Sequence, residues 1–284
     1  MSVPSPLAAF RDILVAVTEE GRGDEPEAGL AYGLTLAATA GAHLTVQSAA
    51  RRLTMAGGVG LGFVRSLVAD GNWRSRVRAR VLAERVARDA AAAGVICTTE
   101  VPALAYPDLI ARITARSRLA DLTVLDAETR EIDLDRALID GLMIESGRPL
   151  IVVPAARSAF GTGRIVVAWD GSAQAARAAN DALPFLRAAE AVEIVSVVGE
   201  TDLPTSAAGA DFAPHLARHG VAVSVSVLPV VGDVAETLRT RVGLFRADML
   251  VMGAYRHSRL HEWCLGGVTR SLLARSSVPL FLAH

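Results

Sequence analysis

Short apolar runs alternate along this chain with longer stretches whose apolar positions recur at helical spacing. Ile13-Leu-Val-Ala-Val17 is a continuous apolar run, the pattern of a strand buried on both faces. Glu25 to Ala40 sets Leu30, Leu34, Ala37 and Ala38 on one helical stripe, and Gly41 supplies the stop. His43 to Ala49 alternates as a strand, while Arg51 to Gly71, with Gly57, Gly58, Gly60 and Gly62, has no period and is expected to be a flexible insertion. Asn72 to Ala93 predicts a helix with Val77, Val81, Leu82 and Val86 on one face, stopped by Gly94. Val95 to Val101 predicts a strand, Pro107 to Leu119 a helix with proline at its start, and Asp121 to Leu125 a strand. Asp133 to Ser146 predicts a helix and Leu150 to Val153 a fifth strand. Pro154 to Gly163 is rich in Ala, Gly, Ser and Pro and is expected to be a linker.

After the linker the order restarts. Strands are expected at Arg164 to Trp169, Val192 to Val198, Val221 to Val227, Asp248 to Met252 and Pro279 to Leu282. Helices are expected at Ala173 to Ala189, Ala207 to His219, Asp233 to Phe245 and Gly267 to Arg275. Two β-α-β-α-β-α-β-α-β halves in one chain indicate an internal duplication. The shift between the halves is 152 from Ile13 to Ile165 but 127 from Asp121 to Asp248, so the first copy carries 25 extra residues, placed near 51–71. Strands that alternate with helices specify an α/β fold: here two repeats of a five-stranded, parallel, doubly wound, Rossmann-like sheet with strand order 3-2-1-4-5. The domains expected are 1–155 and 163–284.

In such sheets ligands sit beyond the carboxyl ends of the strands, where the strand order reverses. In the second half that point lies between the strand ending Trp169-Asp170-Gly171-Ser172 and the strand ending Met252-Gly253. Asp170 can accept hydrogen bonds from a ribose hydroxyl or a base amine; Asp170 or Ser172 can equally cap the helix that follows. Gly253, then a polar loop, then Gly266-Gly267 opening a helix, form a strand–glycine–helix arrangement suited to an anion. Ordinary turn chemistry accounts for the same glycines.

Composition narrows the classes. Hydrophobic residues are 51% and charged residues 21%, enough apolar material for a sizeable core. The net charge of −1 gives no global case for nucleic acid or an anionic membrane. The arginines at 74, 76, 78, 80, 85 and 88 are read as a solvated helix face, balanced by Glu84 and Asp89. Two separated cysteines, Cys97 and Cys264, fit a reducing compartment, and no signal peptide or membrane span is expected, so the expected location is the cytoplasm. No Walker A sequence and no G-x-S-x-G occur. His257 and His261, and His215 and His219, have helical i,i+4 spacing but no third ligand in view, so no metal site is expected.

Val-Ala-Trp-Asp-Gly-Ser172, together with Gly253-Ala-Tyr-Arg-His-Ser-Arg-Leu260 and Gly266-Gly-Val-Thr269, resembles the universal stress proteins, whose fold is of the adenine nucleotide alpha hydrolase-like type. The resemblance spans the chain as a tandem member and is stronger in the second half. It implies ATP, or the related AMP or ADP, bound through a G-x2-G-x9-G-(S/T) motif and an aspartate after the first strand, with Mg2+ able to accompany ATP. Carried over, it implies that Asp170 contacts the adenosine and that Val197 or Val198 lines the adenine pocket. Gly253, Gly266 and Gly267, with Thr269, would cradle the phosphates or ribose.

Two positions depart from that motif: its second glycine is Arg256, and Gly267 follows its last glycine where Ser or Thr is usual. Arg256 either obstructs the loop or supplies a cation to the phosphates. The first half lacks the aspartate, having Val17-Thr18-Glu19-Glu20, and runs from Leu125 into Asp126-Ala127-Glu128 without glycines. It is expected to bind no nucleotide and to act as a structural partner. No general base is evident, so at most weak ATP hydrolysis is expected. The expected function is a stress response regulated by adenine nucleotide in the second half; the alternative is a nucleotide-free interaction scaffold of the same fold. The resemblance also implies pairing of the two halves through their fifth strands, Leu150 to Val153 and Leu280 to Leu282. A homodimer and an unidentified regulatory protein are further partners it suggests.

Overall fold

The apolar runs become strands covered on both faces, because helices cross over each of them in turn. The computed structural model describes residues 5–18, 28–54, 62–127, 134–199, 209–254 and 267–284. The first half runs β1 (Asp12–Thr18), α1 (Ala28–Ala40), β2 (His43–Arg51), α2 (Gly62–Ala92), β3 (Cys97–Glu100), β4 (Ala103–Leu104) and α3 (Tyr106–Ser117), then β5 (Leu122–Asp126), α4 (Leu134–Glu145) and β6 (Leu150–Val153). The second runs β7 (Arg164–Ala168), α5 (Ala173–Asp181), α6 (Leu183–Ala188), β8 (Ala191–Val198), α7 (Ala213–Arg218) and β9 (Val223–Pro229), then α8 (Val234–Phe245), β10 (Met249–Gly253), α9 (Gly267–Arg275) and β11 (Leu280–Ala283).

Each half has its five main strands in the order 3-2-1-4-5, but they do not form two separate sheets. They join in one eleven-stranded sheet, β3-β2-β1-β5-β6-β11-β10-β7-β8-β9, with β4 added beside β2. The join is β6 against β11, the antiparallel pair in an otherwise parallel ladder, with Leu150 opposite Leu282, Ile151 opposite Phe281 and Val152 opposite Leu280. Each of these strands would otherwise present an open row of backbone donors and acceptors, and each satisfies the other.

Four local expectations are corrected. Residues 62–71 are helical, so α2 begins ten residues before Asn72 and runs to Ala92. Asn72 lies inside α2, where its side chain bonds another segment: Leu53 N donates to Asn72 Oδ1 at 2.7 Å, and Asn72 Nδ2 donates to Leu53 O at 3.1 Å. The buried face of α2 is Ser75, Ala79, Ala83, Val86 and Ala90, whereas Val77 and Val81 are exposed; small residues let the helix lie close on β2, where Ser48 Oγ donates to Ala79 O at 2.9 Å. The helix expected over 173–189 divides at Ala182 into α5 and α6, because Pro184 stands in the first turn of α6. Within the expected helix 207–219, residues 209–212 form a turn and α7 begins at Ala213; 207 and 208 lie outside the described residues.

One core lies on each side of the sheet. The first gathers α1, the C-terminal part of α2, α5, α6 and α7; the second gathers α3, α4, α8 and α9. Aromatic rings close the seam between the halves. Phe185, fully buried, meets Phe10 at 4.7 Å, Phe160 at 5.7 Å and Phe281 at 5.8 Å between ring centroids. Phe160 belongs to the stretch expected to be a linker, so that stretch is packed into the core. Its ring stands edge-on to Tyr32 at 5.6 Å, and its N–H donates to Thr35 Oγ1 at 3.0 Å. Burial, with the nearby Asp248 carboxylate adding to it, pushes the Tyr32 phenol well above its ordinary range.

Replacing Phe185 with Ala removes a ring shared by three segments from both halves. The expected loss is about 3–5 kcal/mol in unfolding free energy. Denaturant titration followed by fluorescence and by circular dichroism should show both signals moving together; two separated transitions, with the first half unaffected, would contradict a shared seam.

Candidate functional site

β7 lies between β8 and β10, in register from Val167 to Val251 on one side and Ala168 to Val195 on the other. The chain leaves β7 for α5 on one face and leaves β10 for α9 on the other, which opens a crevice at the carboxyl end of this pair. Asp170 is exposed just past β7, and its Oδ1 accepts from Ser172 N at 3.0 Å. Gly171 turns the chain with φ 73°, a conformation that favours glycine. Ser172 caps α5, its Oγ accepting from Ala175 N at 3.1 Å. The helix cap is therefore Ser172, and Asp170 stands at the mouth of the crevice.

Val197 and Val198 end β8, both half-buried. Val197 packs on the α8 side, and Val198 O accepts from Val230 N at 3.1 Å. Gly253 ends β10, and a Cβ there would lie 2.5 Å from both Ala175 N and Gln174 C. Its glycine thus makes room for the first turn of α5. Gly267 opens α9, exposed, and a Cβ there would meet no atom within 4 Å among the described residues. Thr269 is buried in the same helix. The structure brings Asp170, the end of β8 and Gly253 to one crevice; Arg256 and Gly266 fall within 255–266, outside the described residues.

The matching place in the first half is built differently. Asp126 ends β5 as Gly253 ends β10, and its Oδ1 accepts from Gly29 N, in the first turn of α1, at 2.6 Å. The carboxylate thus serves the start of α1, as Ser172 serves the start of α5.

Behind Val197, on the same face of β8, lies a buried ion pair. Glu193 is 2% exposed; Arg241 from α8 holds it through Nε at 2.8 Å and a second, shorter NH2 contact, and Ser226 Oγ donates to it at 2.5 Å. Burial alone would raise the Glu193 carboxyl, but the Arg241 and Ser226 hydrogen bonds and the guanidinium charge together hold it below the ordinary carboxylate range. The pair fixes α8 against the strand that ends in the crevice.

Three side chains at the crevice went unmarked in the sequence reading. Trp169 stacks on Phe212 with centroids 4.1 Å apart and planes 10° from parallel, and Ser196 Oγ is buried with no hydrogen-bond partner among the described residues. A composition-based reading has no signal for an orphan hydroxyl; the aromatic pair joins residues distant in sequence. His215 Nε2 is within 3.1 Å of Asn180 Oδ1, and its ring stands edge-on to that of His219. Among the described residues no group of three or more His, Cys, Asp or Glu is placed to hold a metal, and no helix is long and apolar enough to cross a membrane. His257 and His261 lie outside the described residues.

Three measurements test this framework. Arg241→Ala leaves Glu193 buried and unpaired, with an expected cost of about 3–5 kcal/mol. Because the Glu193 pKa is depressed by folding, its stabilisation is present above the unfolded-state value and is lost as pH falls through the lower folded value. Acid titration of stability should therefore show the wild type losing more than Glu193→Gln below about pH 4.5; parallel curves would contradict this. Gly253→Ala should cost about 1–3 kcal/mol by displacing the first turn of α5, and an unchanged melting temperature would mean that the close approach is not required.

The universal stress protein family model matches residues 161–284. A universal stress protein from Archaeoglobus fulgidus superposes with a TM-score of 0.70 at 16% identity, over 96% of this chain and 95% of its own. A crystal structure titled as a putative universal stress protein from Pseudomonas aeruginosa gives a TM-score of 0.54 at 13% identity, covering 98% and 94%. These two likenesses concern the fold. A shorter universal stress protein, solved in complex with cAMP, is 27% identical over 43% of this chain and 96% of its own, with a TM-score of 0.36, too low to carry its ligand across. No curated protein matches the chain. The family match and the repeated sheet order agree: residues 161–284 match the universal stress protein family, and the chain as a whole shares the fold of solved universal stress proteins.

Proposed function

We propose that the chain is a tandem universal stress protein whose second domain, 163–284, binds ATP or a related adenine nucleotide as a regulatory ligand. The first domain, 1–155, then serves as a structural partner. The observation that carries this reading is an asymmetry at matching positions. In the second half Asp170, the end of β8 and Gly253 meet at one switch point, whereas in the first half an acidic Asp126 stands where Gly253 does and its carboxylate bonds the first turn of α1. In this reading Asp170 accepts from the ribose or base, and Val197 and Val198 form an apolar wall. The backbone around Gly266 and Gly267, with Thr269, receives the phosphates at the start of α9. Gly253 acts through packing, by seating α5 beside the crevice. Mg2+, where ATP carries it, is held by the phosphates themselves. Arg256 acts as a phosphate cation, as a long guanidinium can. The ligand is regulatory, and catalysis is at most weak ATP hydrolysis.

Mass spectrometry of ligand released from the purified protein, with titration calorimetry against ATP, ADP and AMP, tests the reading. One nucleotide per chain is expected. Arg256→Gly should weaken ATP about tenfold and leave AMP less affected, while tighter ATP binding in that variant would mean that the arginine obstructs. No ligand and no binding heat at millimolar ATP would leave the nucleotide-free scaffold as the surviving account.

A further inference from the structure

The joined sheet has two outer edges, and the chain treats them differently. One is β3, four residues long, Cys-Thr-Thr-Glu. Its Glu100 carboxylate pairs with Arg116 at 3.0 Å, and its Thr98 Oγ1 lies 3.0 Å from His43 Nε2. Short length and charge are two ways in which proteins keep an edge strand from pairing. The other edge is β9, Val-Ser-Val-Ser-Val-Leu-Pro, seven residues long. No charged residue occurs from Gly220 to Gly232, so neither device protects it.

Backbone and side-chain directions combine on this strand. Ala222 O accepts from Val192 N, and Val230 N donates to Val198 O. The even-numbered residues therefore bond β8, and the odd-numbered ones turn their N–H and C=O groups outward. Pro229, which has no N–H, stands at an outward position, where the ladder to β8 loses nothing. The same alternation sets the side chains. Ser226 faces α8, where it bonds Glu193, so Val223, Val225 and Val227 lie in a row on the α7 face. α7 has six residues, and it leaves Val225 37% exposed and Val227 50% exposed. In the first half that face of the sheet carries α2, with 31 residues.

We propose that β9 pairs antiparallel with β9 of a second copy of this chain, about a two-fold axis through Val225, so that the sheet continues across two chains. In that register Val225 lies opposite itself, and Val223 lies opposite Val227 of the second copy. The three outward-facing valines then exchange their N–H and C=O groups, and their exposed side chains cover one another. Charge selects the direction. Arg218 and His219 lie at the amino end of the strand, and Asp233 and Glu236 beyond its carboxyl end, all exposed. Antiparallel pairing brings basic end to acidic end twice, whereas parallel pairing sets like against like. The fifth strands are already paired within the chain as β6 and β11, which leaves β9 as the apolar edge for a second copy. A strand of seven residues spans about 23 Å. That contact is at the small end for a dimer, so a micromolar dissociation constant is expected. The pairing is independent of the nucleotide reading.

Sedimentation velocity of the full chain over a concentration series tests this. The chain should pass from one copy to two as its concentration rises to about 200 μM, with nothing larger, because two-fold pairing closes. Val225→Lys sets like charges opposite each other and should weaken the dimer by about tenfold or more. Val227→Pro removes an outward N–H, spares the bonds to β8 and should act in the same direction. Both variants should keep the melting temperature of the monomer. Val81→Lys, at an exposed valine of α2, should leave the dimer unchanged. In a Cys97→Ser, Cys264→Ser chain, Val225→Cys should cross-link to itself on mild oxidation, since facing residues about 5.5 Å apart between Cα atoms are within disulfide reach. Val223→Cys should cross-link when mixed with Val227→Cys and not alone. The proposal is overturned by a chain that stays monomeric, by a dimer that Val225→Lys and Val227→Pro leave intact, or by one that Val81→Lys dissolves. Val225→Cys recovered cross-linked to a different protein, and never to a second copy, overturns it as well.

Discussion

The antiparallel pairing of β6 with β11 is the constraint on which the rest of this structure depends. Each half is a doubly wound sheet that ends in an apolar edge strand, LIVV or LFLA, whose backbone groups need partners. Pairing the two edges satisfies those groups and makes one sheet of the chain. The packing around it follows: Phe281 of β11 reaches Phe185 of α6, and Phe10 and Phe160 close on the same ring. The stretch between the halves is therefore bound in place, since Phe160 fills the seam and Arg157 Nε donates to Ser277 O at 3.3 Å.

Duplication under that constraint has let the halves diverge at equivalent positions. Gly253 and Asp126 both end the fourth main strand. The glycine seats a helix against the sheet, and the aspartate bonds a helix amide with its own carboxylate. Ser196 and Ser48 also share a register position, yet among the described residues one hydroxyl has no partner and the other bonds α2. The ion pair of Glu193 with Arg241 belongs to the second half as well, where it fixes α8 behind the crevice.

Much of the fold was legible because parallel strands buried on both faces are continuous apolar runs, and helices between them are periodic. β6 and α9 fall on the residues that the pattern predicts, and the order 3-2-1-4-5 holds within each half. The failures have local causes. The glycines at 57–62 hid the start of α2, which begins at Gly62, and Pro184 splits a helix whose periodicity continues across the break. Val77 and Val81 suggested the inner face of α2, but small residues proved to be what lets that helix approach β2.

The sequence by itself determined the repeat, the fold class and the switch point, because each depends on local pattern and on the order of elements. It also marked Asp170 and Gly253, since an acid and a glycine at strand ends are local signals. Tertiary structure decided what those residues do. Ser172 rather than Asp170 caps α5, Gly253 makes room for backbone, and Asp126 bonds the first turn of α1. It also decided that two edges become one sheet and that Trp169 stacks on Phe212, with the turn at Gly209 lying over Trp169 and Ser196. These are contacts between segments far apart in the chain, and no periodicity or spacing encodes them.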